Sequence, residues 1–330
     1  MEPNYIGVDL HKAFFQACAL TATGTRVWEA RLPRSADGLA HLCARCSPAT
    51  HVAVEATGPT WAFVDALAPT GASVGVVDTR KTKLKAGYAA KTDRLDARRL
   101  ADALRRESVV SIYVPPPPIR ELRELCRNRH QLVRLRSRVA QMIRALLLRQ
   151  GAADAPMRHV YSRRGLAWLH VVPLPAEATL TVQRLARIIE MLHVEAVAAD
   201  AAVTTRARGD AIAVALDRMV GIGPVLALTI RAEIGEVGRF ARGAHLASYA
   251  GLVSRVEGSA DHLYYGRITR QGSPWLRWAL VEAAMHAMKR QDPVGKWARR
   301  LAVRKGTAKA RVALARRLCD DVMKEWPRSA

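Results

Sequence analysis

The sequence predicts an α/β N-terminal domain built on a mixed sheet with helices, followed by a mainly α-helical remainder. Three observations carry this expectation. The first 32 residues hold three short apolar runs joined by tight connections, and the stretch that follows, as far as Val77, alternates between helical and strand periodicity. Pro115-Pro116-Pro117-Pro118 is a stiff, extended spacer at which a domain boundary is expected. Just beyond it begins a long pattern of apolar residues at three-four spacing.

Taken in order, Tyr5-Ile6-Gly7-Val8-Asp9, Phe14 to Leu20 and Arg26 to Leu32 read as strands, with Gly24 supplying the turn between the last two. Strands joined this closely form an antiparallel meander. Ala36 to Cys46 then reads as a helix, His51 to Glu55 as a buried strand, Thr60 to Leu67 as a helix and Ser73 to Val77 as a further strand. Leu95, Ala97, Leu100, Ala101, Ala103 and Leu104 mark the next helix.

After the spacer, Leu125, Leu132, Leu135, Val139, Met142 and Leu146 form an apolar seam shared with Asn128. Arg127, Arg129, Arg134, Arg136, Arg138 and Arg144 fall largely off that seam, where they can meet phosphates. The seam has two possible partners: a second chain, as in a coiled coil, or the later helix around Leu185 to Leu192 in an intramolecular hairpin. Leu216 to Ile230 resembles a helix-hairpin-helix, in which the Gly221 and Gly223 backbone approaches a phosphate; the bland reading is a tight helix connection. Between Lys296 and Arg317 the chain is basic and nearly free of acids, with Trp297, Leu301, Val312 and Leu314 marking amphipathic helices.

Composition sets the class of partner. Fifty-two Lys and Arg against 29 Asp and Glu give a formal net charge of +23 and a pI near 10.8. Such an excess points to nucleic acid, because neutralising phosphates and releasing counterions supplies sequence-independent affinity. Five cysteines make no even disulfide framework, and His41, Cys43 and Cys46 lack the second pair that a structural zinc site needs. No signal-like start and no apolar run of membrane-spanning length is present, so a cytoplasmic protein, associated with the nucleoid when acting, is expected.

Chemistry concentrates in four acids. Asp93 and Asp96 sit three apart in a helical pattern, which places two like charges side by side. They either point into water or share a cation, and a hard divalent ion prefers such oxygen ligands. Asp9 and Glu55 each end an apolar strand, where they either cap the strand in solvent or emerge at one sheet edge. Converging, the four acids suffice to hold one or two divalent ions for an in-line phosphoryl displacement.

Tyr5-Ile6-Gly7-Val8-Asp9-Leu10-His11-Lys12, Val54-Glu55-Ala56-Thr57-Gly58 and Lys91-Thr92-Asp93-Arg94-Leu95-Asp96-Ala97 resemble, in order and spacing, the three acidic motifs of the DEDD transposases of the insertion-sequence-110 family. The resemblance continues through the C-terminal half. It implies an RNase H-like (RuvC-like) catalytic domain over residues 1–112, a Pro-rich linker with a long helical, coiled-coil segment over 113–215, and a C-terminal transposase domain over 216–330. Asp9, Glu55, Asp93 and Asp96 would be catalytic and bind Mg2+ or Mn2+.

Tyr249-Ala250-Gly251-Leu252 and the later Gly266-Arg267-Ile268-Thr269-Arg270-Gln271-Gly272 are similar to that family's C-terminal domain, in which a serine is the nucleophile. Ser259 matches it by spacing, although Ala260 replaces the usual glycine and Ser254 a common proline. Nothing near Ser259 forms a Ser-His-Asp arrangement; the resemblance implies instead that Ser259 and the metal-bound acids come together, from one subunit or from different ones. The family further implies donor and target DNA, a structured guide RNA (bridge RNA), and a homodimer or homotetramer. Lys91, Arg94, Arg134, Arg138, Gly221, Gly223, Arg267, Arg270 and Arg277 are the expected nucleic-acid contacts. Two other readings compete: a site-specific DNA invertase of the same DEDD type, and a non-catalytic nucleic-acid-binding protein.

Overall fold

The computed structural model describes residues 4–78, 82, 92–152, 157–259 and 262–326. They fall into two compact units, 1–114 and 115–330.

In the first unit, β1 (Asn4–Leu10), β2 (Phe14–Leu20) and β3 (Arg26–Pro33) form the antiparallel meander. Then follow α1 (Ala36–Cys43), β4 (Thr50–Glu55), α2 (Thr60–Leu67), β5 (Ser73–Val77), α3 (Asp93–Arg105) and a two-residue strand, β6 (Ser111–Ile112). The sheet order is β3-β2-β1-β4-β5-β6, with β4 and β5 parallel to β1 and β6 antiparallel to β5. It is therefore a mixed sheet.

Strand alternation gives the sheet two apolar faces. Ile6, Val8, Leu10, Phe15, Ala17, Val52, Val54 and Val76 pack on one side with Leu42 of α1 and Phe63 and Leu67 of α2. On the other side Cys18, Ala53 and Val77 lie beneath Ala97, Leu100 and Ala101 of α3. Gly7 belongs to this second face, and its lack of a side chain lets α3 sit directly on β1: a Cβ there would lie 2.0 Å from the Ala97 carbonyl oxygen and 2.3 Å from the Ala101 nitrogen.

The second unit is mainly helical. A hairpin of two 33-residue helices, α4 (Pro117–Arg149) and α6 (Ala176–Arg208), is bridged by α5 (Arg163–Val171). Each long helix spans about 50 Å at 1.5 Å per residue. Pairing within the chain is thus what α4 adopts. Its buried Ala140, Ile143 and Leu147 pack with Val182, Ala186 and Ile189 of α6 at the far end and Cys126 joins Val203 and Ala207 at the near end, whereas Leu135 and Met142 of the expected seam are about half exposed.

The near end of the hairpin joins a compact cluster: α7 (Ala211–Asp217), α8 (Pro224–Ile234), α9 (Gly243–Tyr249), α10 (Pro274–Ala287), α11 (Pro293–Lys305) and α12 (Thr307–Glu325). A hairpin of β7 (Ser254–Ser259) and β8 (His262–Ile268) separates α9 from α10. Among the described residues no helix is long and apolar enough to cross a membrane.

Within this cluster Glu233 of α8 is 1% exposed. It accepts both Arg127 guanidinium hydrogen bonds at 2.8 and 3.0 Å and the Ser273 hydroxyl at 2.8 Å. Arg123 donates to the carbonyls of Ala232 and Glu233, so α4 is fastened to the C-terminal end of α8 by hydrogen bonds as well as by packing. A fully buried carboxylate is tolerable only with its acceptor sites filled in this way.

Candidate active site

Asp9, His11 and Asp93 come together where the second face of the sheet runs out from under α3. β1 and β4 are parallel in the register Gly7↔Ala53 and Val8↔Val54, so Asp9 and Glu55 occupy the next positions at their C-terminal ends. Both lie two residues beyond a position covered by α3 and share that face. Glu55 also pairs in register with Val77 of β5.

Asp93 and Asp96 arrive from the first turn of α3. Thr92 caps the helix, its hydroxyl accepting from the Leu95 amide, and the positive end of the helix dipole offsets part of the repulsion between the two carboxylates. Because α3 rests on Gly7, this turn lies beside Asp9. Asp96 takes an ion pair with Arg99 at 3.1 Å.

His11, in the turn between β1 and β2, completes the group. Its Nε2 is 3.2 Å from Asp9 Oδ2 and 3.5 Å from Asp93 Oδ1. The ring stacks on Phe14 with centroids 4.5 Å apart, the Arg31 guanidinium lies 3.8 Å from the Phe14 centroid, and the His11 amide donates to the Phe14 carbonyl. One donor atom each from Asp9, His11 and Asp93 fall within 4.8 Å of one another. Two carboxylates and an imidazole at that spacing suit a divalent cation. Burial raises the Asp9 carboxyl above its ordinary value; the charge of His11 opposes this, and those of Asp93 and Asp96 add to it.

The structure thus gathers Asp9 and Asp93 around His11, sets Asp96 one turn further along α3 in an ion pair, and puts Glu55 on the strand beside Asp9. His11 is not among the site residues expected from the sequence. A histidine two positions beyond a strand-end aspartate carries little signal until α3 brings Asp93 against it.

Ser259 is the last residue of β7, paired in register with His262. Its side chain, like the whole of Lys91, lies outside the described residues. Arg94 is engaged with Glu29, whose carboxyl is held below its ordinary value mainly by that hydrogen bond. Arg134, Arg138, Arg267 and Arg270 are exposed. Arg277 donates to the Ala250 carbonyl at 3.0 Å. At the α7 to α8 connection, Gly221 has φ +83 and presses against α10, where a Cβ would lie 2.5 Å from the Ala283 carbonyl oxygen. Gly223, the residue before α8, has open space beside it.

Comparison with known proteins matches both parts of the chain to one family. Residues 6–150 match the profile of the DEDD transposase domain of IS110 elements, described as "Transposase", and residues 213–315 match that described as "Transposase IS116/IS110/IS902 family". The chain is 25% identical to the "Transposase for insertion sequence element IS1111A" of Coxiella burnetii over 94% of its own length and 86% of that protein's. It is 26% identical to a Pseudomonas aeruginosa protein named "Probable family 20 transposase", over 96% of its own length and 94% of that protein's. The chain belongs to the IS110 family of DEDD transposases and is a DNA transposase.

Proposed function

We propose that the chain cuts and rejoins DNA through a covalent serine-DNA intermediate, with Asp9, Glu55, Asp93 and Asp96 holding Mg2+ or Mn2+ and Ser259 as the nucleophile. The observation that carries the metal half is the approach of Asp9 and Asp93 around His11. The meander followed by parallel strands, in the order β3-β2-β1-β4-β5, supports an RNase H-like, RuvC-like reading of residues 1–112. We read 113–215 as the helical linker segment and 216–330 as the transposase domain.

A divalent ion in this site would supply Lewis-acid stabilisation of the phosphate oxygens and favour ionisation of the attacking hydroxyl. The acids bind and orient it, and the Gly7 contact fixes the distance between the Asp9 strand and the Asp93 turn. Ser259 Oγ then forms a bond to phosphorus as the bond to one deoxyribose oxygen breaks. The serine proton leaves to solvent or base, and the departing oxygen is protonated. Attack by a second strand's hydroxyl reverses the exchange and frees Ser259, so no high-energy cofactor is consumed.

The open position of Gly223 at the start of α8 is a phosphate-accepting feature of helix-hairpin-helix type. The charge of +23 supports binding of donor and target DNA together with a bridge RNA. Ile188, Met191, Val194 and Val197 form an exposed apolar stripe on α6 that supports assembly into a homodimer or homotetramer.

The test is a strand-cleavage assay on element-end DNA with Mg2+ or Mn2+, with and without the element's non-coding RNA. Ser259→Ala is expected to lose the covalent adduct but keep metal binding, and Asp9→Ala to lose both. An adduct that survives in Ser259→Ala would overturn the nucleophile. Unchanged metal affinity in Asp9→Ala would overturn the metal site, and full activity without RNA would remove the guide.

A further inference from the structure

An aromatic groove in the second unit has no part in the chemistry above. His130 of α4 meets the indoles of Trp275 and Trp278 of α10 edge to face, with ring centroids 4.8 and 4.4 Å apart. Two hollows of about 750 and 430 Å³ adjoin this cluster, and both are lined by His130, Arg134 and Trp278. The larger extends along α4 to Arg138, and the smaller reaches Trp275.

Charge distribution indicates what the groove takes. His130, Arg134 and Arg138 are spaced four apart and so line one face of α4. Among the described residues Arg134 and Arg138 have no ion-pair partner, and no carboxylate lines either hollow. The neighbouring Arg129 is neutralised by Asp200 at 2.6 Å. Burial first, then Arg134 and Arg129, hold His130 below its ordinary pKa, so its ring adds no charge at neutral pH. Two unpaired guanidiniums beside half-buried indoles need a ligand that is anionic along one edge and flat and apolar along the other. A duplex presents phosphates but keeps its base faces stacked inside; an unpaired strand presents both.

We propose that His130, Arg134 and Arg138 of α4 with Trp275 and Trp278 of α10 bind an unpaired DNA strand, its bases against the indoles and its phosphates on the two arginines. DNA is favoured over RNA because a transposase cuts DNA, and strand exchange exposes unpaired segments of it. The groove relies on that activity alone and is independent of the metal site and of Ser259.

The full chain is titrated with a short oligothymidylate in EDTA, following anisotropy and tryptophan fluorescence across a range of salt. Metal-site failure leaves this measurement unmoved. Quenching on binding is expected. Trp278→Ala should weaken binding about tenfold with the salt slope unchanged, as for loss of one stacked base. Trp278→Phe should retain most of the affinity. Arg134→Ala and Arg138→Ala, both surface changes, should each reduce the slope of log K against log salt by about 0.7. The proposal is overturned if a duplex of equal length binds as tightly, or if neither arginine variant changes the slope. A matching oligouridylate that binds as tightly or more so would assign the groove to RNA and also overturn it.

Discussion

Gly7 and Ala97 are in direct backbone apposition: a Cβ on Gly7 would stand 2.0 Å from the Ala97 carbonyl oxygen, closer than any real contact. That closeness sets where the first turn of α3 falls relative to the end of β1, and so the separation of Asp93 from Asp9. Gly7→Ala must push backbone away from backbone, which no rotamer change relieves. A destabilisation of about 1–3 kcal/mol is expected, as for other overpacked cores, together with a loss of Mn2+ affinity at least as large as that of Asp93→Ala. Urea denaturation and metal titration check it. A variant of unchanged stability would show that α3 is not seated on β1.

Asp9 illustrates a site that works against its own fold. Burial raises its carboxyl, and Asp93 and Asp96 add to the effect. A carboxyl raised in the folded state contributes stability below its unfolded value near 3.8, and that contribution is lost as pH rises through the folded value. At neutral pH the ionised Asp9 is therefore a cost to the metal-free protein. Asp9→Asn should raise the melting temperature in EDTA at neutral pH by about 1–3 °C, with the gain fading as pH falls through the folded value toward 3.8, and should abolish stabilisation by Mn2+. A lowered melting temperature in EDTA would contradict the sign.

Much of the first unit was legible because its elements are short and their periods clean. The strands around Val8, Ala17, Val54 and Val76 and the helices around Phe63 and Leu100 stand where apolar periodicity puts them, and the mixed sheet follows from their order. β6 spans two residues, too few to show alternation. The β7–β8 hairpin interrupts a helical region, and its exposed Val256, Tyr264 and Tyr265 give no core-facing pattern. The α4 seam differs from the expected one because burial follows the contact with α6, which covers Ile143 and Leu147 and leaves Leu135 and Met142 about half exposed. In the site, the carboxylates were visible through their expensive positions. His11 meets Asp93, and Trp275 and Trp278 meet His130, only across long stretches of sequence, so none of these groupings has a local signature.

Arg127 and Glu233 form the buried ion pair that fastens α4 to α8. Removing the arginine takes two guanidinium hydrogen bonds from a carboxylate that is 1% exposed, with the Ser273 hydroxyl still donating to it. Arg127→Ala should cost about 3 kcal/mol, the low end for a broken buried pair, because the guanidinium is itself one-third exposed. Arg127→Met with Glu233→Leu should recover most of that loss, since two apolar groups need no pairing. A double-mutant cycle in urea checks both. Additive losses would mean that the pair is not coupled.

His11 is expected to be a nitrogen ligand of the bound divalent ion. Its Nε2 already shares the space between Asp9 and Asp93, and stacking on Phe14 holds the ring there. A nitrogen donor favours Mn2+ over Mg2+, because an imidazole suits transition ions and Mg2+ prefers oxygen. His11→Ala should therefore lower Mn2+ affinity roughly tenfold, in line with the effect of altering a metal's immediate surroundings, and leave Mg2+ affinity nearly unchanged. Pulsed electron paramagnetic resonance of bound Mn2+ should show nitrogen coupling in the native chain and none in the variant. If Mn2+ binds the native chain without nitrogen coupling, His11 only orients Asp9; if Mn2+ does not bind at all, the carboxylate site itself is wrong. The two failures separate the ligand assignment from the reading on which it rests.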